Sequence, residues 1–331
     1  MSKHKRPTLQ DIADQLGITK MTVSRYLRDP KTVSAETGKK IAQAIDQVGY
    51  IRNRAPELLS NAKSRSIGVL LPSLTNSVFA EVLRGIESVT DEAGYQTMLA
   101  HYGYNQEKEE QRLESLLSYH IDGIILSETQ HSPRTLRMLE IADIPVIEIM
   151  DTSEKGVGQA VGFHNIFAAQ EMVEAMIARG YQHIVYFAAR MDRRTQLKKL
   201  GYEQAMRKHH LTPRTLATER SSSFSLGAEL LHLALETYPE IDGIFCTNDD
   251  LAIGALFECQ RLGISVPTQM AIAGFHGLDV GQAFTPQLAS VITPRFEIGK
   301  ITAQQLLSQL QQQPVADYLD LGYQIHLGET I

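Results

Sequence analysis

LQDIADQLGITKMTVSRYL, residues 9–27, carries two apolar stripes at helical spacing with a single glycine between them. Leu9, Ile12, Ala13 and Leu16 recur at intervals of three and four, which is one face of a helix. Thr8 stands where an N-cap belongs, and Asp11 three residues on completes a weak capping pair. Gly17 accepts the left-handed backbone that ends a helix. Ile18 then fills the turn, Thr19 caps again, and Met21 to Leu27 form a second helix with Val23 and Leu27 pointing inward. Lys20, Met21, Thr22, Ser24 and Arg25 remain on its outer face or edges. A third amphipathic stretch, roughly 35–48, brings Ile41, Ala44, Ile45 and Val48 to close a three-helix core. Two short helices joined by a tight turn, the second showing Lys, Thr, Ser and Arg, make a helix-turn-helix pattern. Its second helix is of the kind that lies in the DNA major groove.

The charge distribution agrees. The 331-residue chain has a formal net charge of -6, yet residues 1–65 carry 13 Lys+Arg against 6 Asp+Glu. The rest is acidic, so only the front end is suited to a polyanion. A hydrophobic content of 43% with 21% charged residues is ordinary for a globular protein, and the length allows two or three domains. No run of 18 or more apolar residues suggests a membrane span, and the basic N-terminus has no apolar segment behind it. A cytoplasmic location is therefore expected, with Cys246 and Cys259 as reduced, buried thiols. No cofactor and no metal site are expected.

From residue 66 the pattern changes to short apolar runs alternating with amphipathic helices. IGVLLP (67–72), QTMLAHY (96–102), GIILS (123–127) and VIEIM (146–150) read as strands, with helices near 78–92, 109–119 and 134–142. A second half repeats the theme with AVGF, IVYFAA, GIFCT and AIAGF, each followed by a helical stretch. Such alternation implies two doubly wound lobes built on parallel sheets. Ligands of such sheets bind beyond the carboxyl ends of the strands. The residues expected there are Ser73, Asn76 and Phe79, then Glu148 and Asp151, then Phe163, His164 and Asn165, and finally Asn248, Asp249 and His276. Taken singly, each of these also reads as a cap or turn residue.

LQDIADQLGITKMTVSRYLRDP followed by VSAETGKKIAQAIDQVGYIRNRAPELL resembles the DNA-binding end of the lactose-repressor (LacI/GalR) family, and the resemblance runs through nearly the whole chain. It implies a small all-α helix-turn-helix domain (1–52), a hinge (53–65) and a two-lobed α/β effector-binding and dimerisation domain (66–331) like the periplasmic binding proteins. By resemblance, Lys20, Met21 and Arg25 meet bases, while Thr19, Thr22 and Ser24 hold phosphates. Thr8 and Asn53 complete the DNA-facing set. The hinge residues themselves allow either a flexible linker with one helical turn or a short helix from about 54 to 61. In the resembled family this segment is a helix that pairs with its twin in the minor groove, with Leu59 at the wedging position.

The resemblance also carries Asn248, Asp151, the Phe79 loop, His276 and Lys198 (in KKLGY) onto effector positions. The runs TKMTVSR, NRAP, LPSLTN, FAEVLRGIESVT, FCTNDD and AIAGFHG resemble the gluconate and idonate utilisation repressors. The expected partners are thus double-stranded operator DNA, a gluconate-like sugar acid and a second copy of the chain, with no membrane. Lys198 is suited to pair with a carboxylate, and Asn248, Asp249 and Glu148 to bind polyol hydroxyls. The alternative is a regulator of the same family that answers a neutral sugar or phosphosugar. An enzyme is disfavoured: GVGQAVG (156–162) has neither dinucleotide nor P-loop spacing, and no nucleophile motif accompanies the His and Asp residues.

Overall fold

The computed structural model describes residues 6–51 and 63–331. Asn53, Leu59 and the rest of the anticipated hinge helix lie outside the described residues. The chain divides into two compact units, Met1–Ser64 and Arg65–Ile331.

In the first unit, α1 (Leu9–Leu16), α2 (Lys20–Arg28) and α3 (Ala35–Val48) appear where the periodicity places them. Thr8 caps α1 reciprocally: its Oγ1 accepts from the Asp11 amide at 3.4 Å, and its own amide donates to Asp11 Oδ2 at 2.6 Å. Gly17 ends the helix at φ 64°, a region that a side chain would strain. Ile12, Ala13, Val23 and Ile41 are fully buried and Ala44 nearly so, with Leu9, Leu16, Ile18, Leu27, Ile45 and Val48 packed round them. So small a core leaves little reserve, and each cap counts. Thr8→Ala is expected to lower the stability of this module by about 1 kcal/mol, readable as a shifted urea midpoint of the isolated segment.

The second unit holds two six-stranded sheets. β1 (Ser66–Leu71), β2 (Gln96–His101), β3 (Gly123–Leu126), β4 (Val146–Ile149), β5 (Gln159–Gly162) and β11 (Tyr318–Asp320) pair in the order β11-β5-β4-β3-β1-β2. β6 (Ile184–Ala189), β7 (Arg214–Thr218), β8 (Gly243–Cys246), β9 (Ala271–His276), β10 (Ala289–Ile292) and β12 (Gln324–His326) pair as β12-β10-β9-β8-β6-β7. Among the described residues only the β10–β12 pairing is antiparallel. One apolar cluster reaches through both lobes, from Ile67 and Ile147 to Tyr186 and Phe275.

AVGF departs from expectation. It does not open the second lobe but pairs with β4 in the first sheet, Glu148 opposite Ala160. The chain then crosses three times: after β5, after β10, and between β11 and β12. The helix Arg295–Leu310 therefore returns to pack on the first lobe, against the helix Ser77–Thr90. There the two backbones touch. A Cβ on Gly85 would sit 2.1 Å from the Phe296 carbonyl oxygen, and one on Gly299 1.9 Å from that of Val82. Among the described residues no helix is long and apolar enough to cross a membrane.

Candidate functional site

The outer face of α2 is solvent-accessible. Met21 is 67% exposed, Lys20 and Arg25 are exposed beside it, and Thr22 and Ser24 lie half-buried at the edges. Thr19 is the N-cap, its Oγ1 accepting from the Thr22 amide at 3.2 Å and lying 2.9 Å from Thr22 Oγ1. Val23 alone of this helix is fully buried, which pins the helix to α1 and α3 and fixes which side faces out.

In the second unit each sheet reverses its strand order once. β1 lies between β2 and β3, and β6 between β7 and β8. Those reversals open a crevice beyond the carboxyl ends of the strands. A cleft of about 360 Å³ of empty space, open to solvent, lies there. The first lobe contributes Asn76, Phe79 and Tyr104 to its wall, and the second Arg190, Asp192, Arg194, Lys198, Asn248 and His276. An adjoining recess of about 570 Å³ shares Tyr104 and Asp192 and adds Tyr102, Gln106, Glu128 and Gln130.

Asn76 and Asn248 are both N-caps, of the helices Ser77–Thr90 and Asp249–Leu262, so two positive helix ends approach the cleft. Asn248 Oδ1 also accepts from Ser222 Oγ at 2.8 Å. Arg194 is committed to the opposite lobe: it donates to the Ser127 carbonyl and, at 2.9 Å, to Glu128 Oε1. Burial works against its charge, but Glu128 keeps its proton firmly on. Arg190 differs. Its guanidinium lies 4.9 Å over the Tyr104 ring, its Nε is buried without a hydrogen-bond partner, and it makes no ion pair among the described residues.

Lys198 is nearly enclosed, 3% exposed. Its Nζ donates to the Thr247 carbonyl at 3.0 Å, lies 3.0 Å from His276 Nε2, and sits 4.0 Å over the Phe275 ring. Burial pushes Lys198 down to about 7. It also holds His276 well below the usual imidazole range, a shift that the adjacent Lys198 and Arg295 deepen.

Five of the expected effector residues thus line the cleft: Asn76, Phe79, Lys198, Asn248 and His276. The others, His164 and Asn165 among them, are placed elsewhere. Ser73 is a turn residue whose Oγ accepts from the amides of Thr75 and Asn76. Phe163 is wholly inside the core. Asp151 accepts from Asn165 Nδ2 at 2.8 Å and pins the first crossover. Asp249, behind His276, accepts from Ser290 Oγ and the Leu278 amide, and burial raises it to about 7. These four side chains act on the frame of the cleft.

Glu148 belongs to a buried trio. His131 Nδ1 lies 2.7 Å from Glu109 Oε1, and its Nε2 lies 3.3 Å from Glu148 Oε1. Burial alone would lower His131, but its hydrogen bonds to the two carboxylates outweigh it and raise the imidazole to about 9. A folded value above the unfolded one of about 6.5 means stability that is full below that pH and lost as pH climbs through 9. The expected loss is on the order of 3 kcal/mol. The difference in thermal midpoint between the parent and His131→Gln, followed from about pH 6 to 9.5, checks it, because the lowered Lys198 contributes a slope of opposite sign over the same range and cancels in that difference.

Arg190, Asp192, Arg194 and Tyr104 escaped the sequence reading. The available signal was RMDRR, three arginines and an aspartate directly after the buried strand IVYFAA.

Comparison with known proteins accounts for both units. Residues 8–53 match the family described as "Bacterial regulatory proteins, lacI family", and residues 64–317 match "Periplasmic binding proteins and sugar binding domain of LacI family". The chain is 59% identical over 330 residues to the HTH-type transcriptional regulator GntR of Escherichia coli (strain K12), covering 99% of this chain and 100% of that protein. It is 48% identical over 331 residues to the HTH-type transcriptional regulator IdnR of the same strain, with 99% and 100% covered. A LacI-family transcriptional regulator from Silicibacter pomeroyi, solved by crystallography, superposes with a TM-score of 0.92 at 31% identity, covering 98% of this chain and 99% of that one. A three-helix module with an exposed second helix, a two-sheet body with a cleft at its switch points, and full-length similarity all lead to one assignment: the chain belongs to the LacI family of bacterial regulatory proteins.

Proposed function

We propose that the protein is a sequence-specific repressor of sugar-acid catabolism genes, without enzymatic activity, that works in the cytoplasm as a homodimer on operator DNA and is controlled by a gluconate-like effector in the cleft. The observation that carries the effector chemistry is the pair Arg190 and Lys198. Both face the cleft, and neither has an acid partner among the described residues. Two such basic groups suit a carboxylate, and charge-assisted hydrogen bonds to it are the strong kind. Asn76, Asp192 and Asn248, with the tyrosines and amides of the adjoining recess, suit a chain of hydroxyl groups.

On the DNA side, a dimer presents two copies of α2 to two half-sites. Lys20 and Met21, at the amino end of that helix, choose bases, the lysine by donating to guanine and the methionine by contact with a thymine methyl. Arg25 adds a further base contact, Thr22 and Ser24 hold phosphates, and Asn53 and Leu59 act in the hinge as the family resemblance implies. Effector binding alters how the lobes pack and so whether the two hinges pair, which couples two distinct sites. Release of DNA by effector is the sense of coupling the resemblance favours.

Lys20→Ala and Met21→Ala are each expected to cost about 1–3 kcal/mol at particular operator positions and to relax base preference there. Affinities for a set of single-base operator variants check this, and a loss uniform across the set would assign these side chains to the DNA backbone. The effector reading is tested by thermal stabilisation against gluconate, idonate, their keto and 6-phospho derivatives, and neutral hexoses. A ligand at about 100 times its dissociation constant adds about 2.7 kcal/mol. Shifts with sugar acids alone support the reading, and shifts with neutral hexoses overturn it.

A further inference from the structure

We propose that Lys198 is the charge-sensing residue of the cleft, taking up one proton from solvent as the effector's carboxylate enters, so that sugar-acid binding is proton-coupled and selective for anions over neutral sugars of the same shape. The inference rests on the sugar-acid reading above and deepens it.

The geometry comes first. Lys198 projects from the helix Arg193–Lys208 into an enclosure where its hydrogen-bonding neighbours are neutral: the Thr247 carbonyl after β8 and the Nε2 of His276 at the end of β9. Phe275 covers it from the side. No carboxylate forms an ion pair with it among the described residues. Burial first, and then the neighbouring positive charges, hold the His276 imidazole well below its usual range, so it is neutral whichever ring nitrogen carries the proton, and its Nδ1 lies 3.3 Å from Thr293 Oγ1. A buried ammonium held only by neutral acceptors is costly, and the group loses its proton before it tolerates that state.

The surrounding charges do not rescue it. Asp192, at the start of the same helix, and Asp249, at the start of the helix beyond β8, favour the proton. Arg194 on its own helix and Arg190 after β6 oppose it, and burial outweighs all four, leaving Lys198 at about 7. Arg295, whose guanidinium binds the His276 carbonyl, adds positive charge next to that imidazole. Asp192 is itself engaged as the helix cap, accepting from the Thr195 amide at 2.9 Å, and Asp249 is held by Ser290 and Leu278. A carboxylate arriving in the cleft supplies the missing counter-ion. One proton moves from solvent to Nζ, the ammonium pairs with the anion, and no covalent bond of the ligand changes. A neutral sugar brings no counter-ion and gains nothing from this step.

The test is calorimetry of gluconate binding to the full-length protein in two buffers of different ionisation enthalpy, from pH 6 to 8.5. The expected proton uptake is close to one per site at pH 8 and close to none at pH 6, with the dissociation constant rising about tenfold per pH unit above 7. Equal heats in both buffers at pH 8 overturn the proposal while leaving the sugar-acid reading intact. Absence of gluconate binding at any pH overturns both. The variants assign the proton. K198R, whose guanidinium does not titrate in this range, should show no uptake per bound ligand, whereas H276Q should retain it. Uptake that persists in K198R places the proton on His276 or Asp249 and overturns the assignment to Lys198.

Discussion

Lys198→Ala is expected to abolish the response to sugar acids, raising the effector concentration needed by a hundredfold or more, while operator affinity without effector stays within about threefold of the parent. The size follows from the environment: truncating one partner of a buried charge pair typically costs about 2–5 kcal/mol. Among the described residues the lysine's hydrogen-bonding and ring partners are Thr247, His276 and Phe275, all within the second lobe. Its loss therefore removes ligand contacts without touching α2 or its core. Anisotropy titrations of labelled operator, with and without gluconate, read both quantities at once. A variant that keeps the parent's response would remove Lys198 from the site and leave Arg190 as the carboxylate's partner.

Gly85→Val is expected to destabilise the body by about 3 kcal/mol or more, with loss of effector binding as the secondary effect. Gly85 and Gly299 let the helices Ser77–Thr90 and Arg295–Leu310 meet backbone to backbone, and a Cβ at Gly85 would overlap the Phe296 carbonyl. Neither helix can step aside freely. The first begins at Asn76 and Phe79 in the cleft wall, and the second begins at Arg295, which binds Glu81 at 3.0 Å and the carbonyl of His276. Denaturant unfolding should show a lower midpoint for this variant at an unchanged slope. A midpoint equal to the parent's would show that the two helices separate more easily than their contact implies.

The three-helix module was almost fully legible in the sequence, because its signals are local. Thr8, Gly17 and Thr19 punctuate the chain where the backbone needs a cap or a left-handed residue, and the apolar spacing fixes each face. The individual strands of the body were legible for the same reason. Their grouping was not. AVGF is apolar and buried on both faces, so nothing local says whether it closes the first sheet or opens the second. The return of Arg295–Leu310 to the first lobe is likewise decided by packing across a long sequence separation.

For the cleft, the strand-end rule named Asn76, Phe79, Asn248 and His276, which line its wall, together with Ser73, Phe163, Asp151 and Asp249, which do not. Asn248 and His276 sit at strand ends facing the cleft, but Asp249, one residue further, turns inward to bind Ser290. Glu148 lies outside the cleft wall, held by His131 on a loop 17 residues away in sequence. Arg190 and Asp192 went unnoticed because a run of charges after a strand reads as a solvated turn until the strand order puts β6 at the reversal of its sheet. His164 proves to be a cap: its Nδ1 accepts from the Phe167 amide while its ring stacks on Phe167 at 3.7 Å.

The central claim is that a sugar acid in the body controls DNA binding by the module, and the most direct measurement is the affinity for a selected operator as gluconate is titrated at fixed salt. The account predicts that saturating gluconate weakens specific binding by roughly 5–150-fold, the usual range of coupling between sites, whereas glucose at the same concentration leaves it unchanged. Operator affinity that is identical with and without gluconate, in a protein shown to bind gluconate, would contradict it.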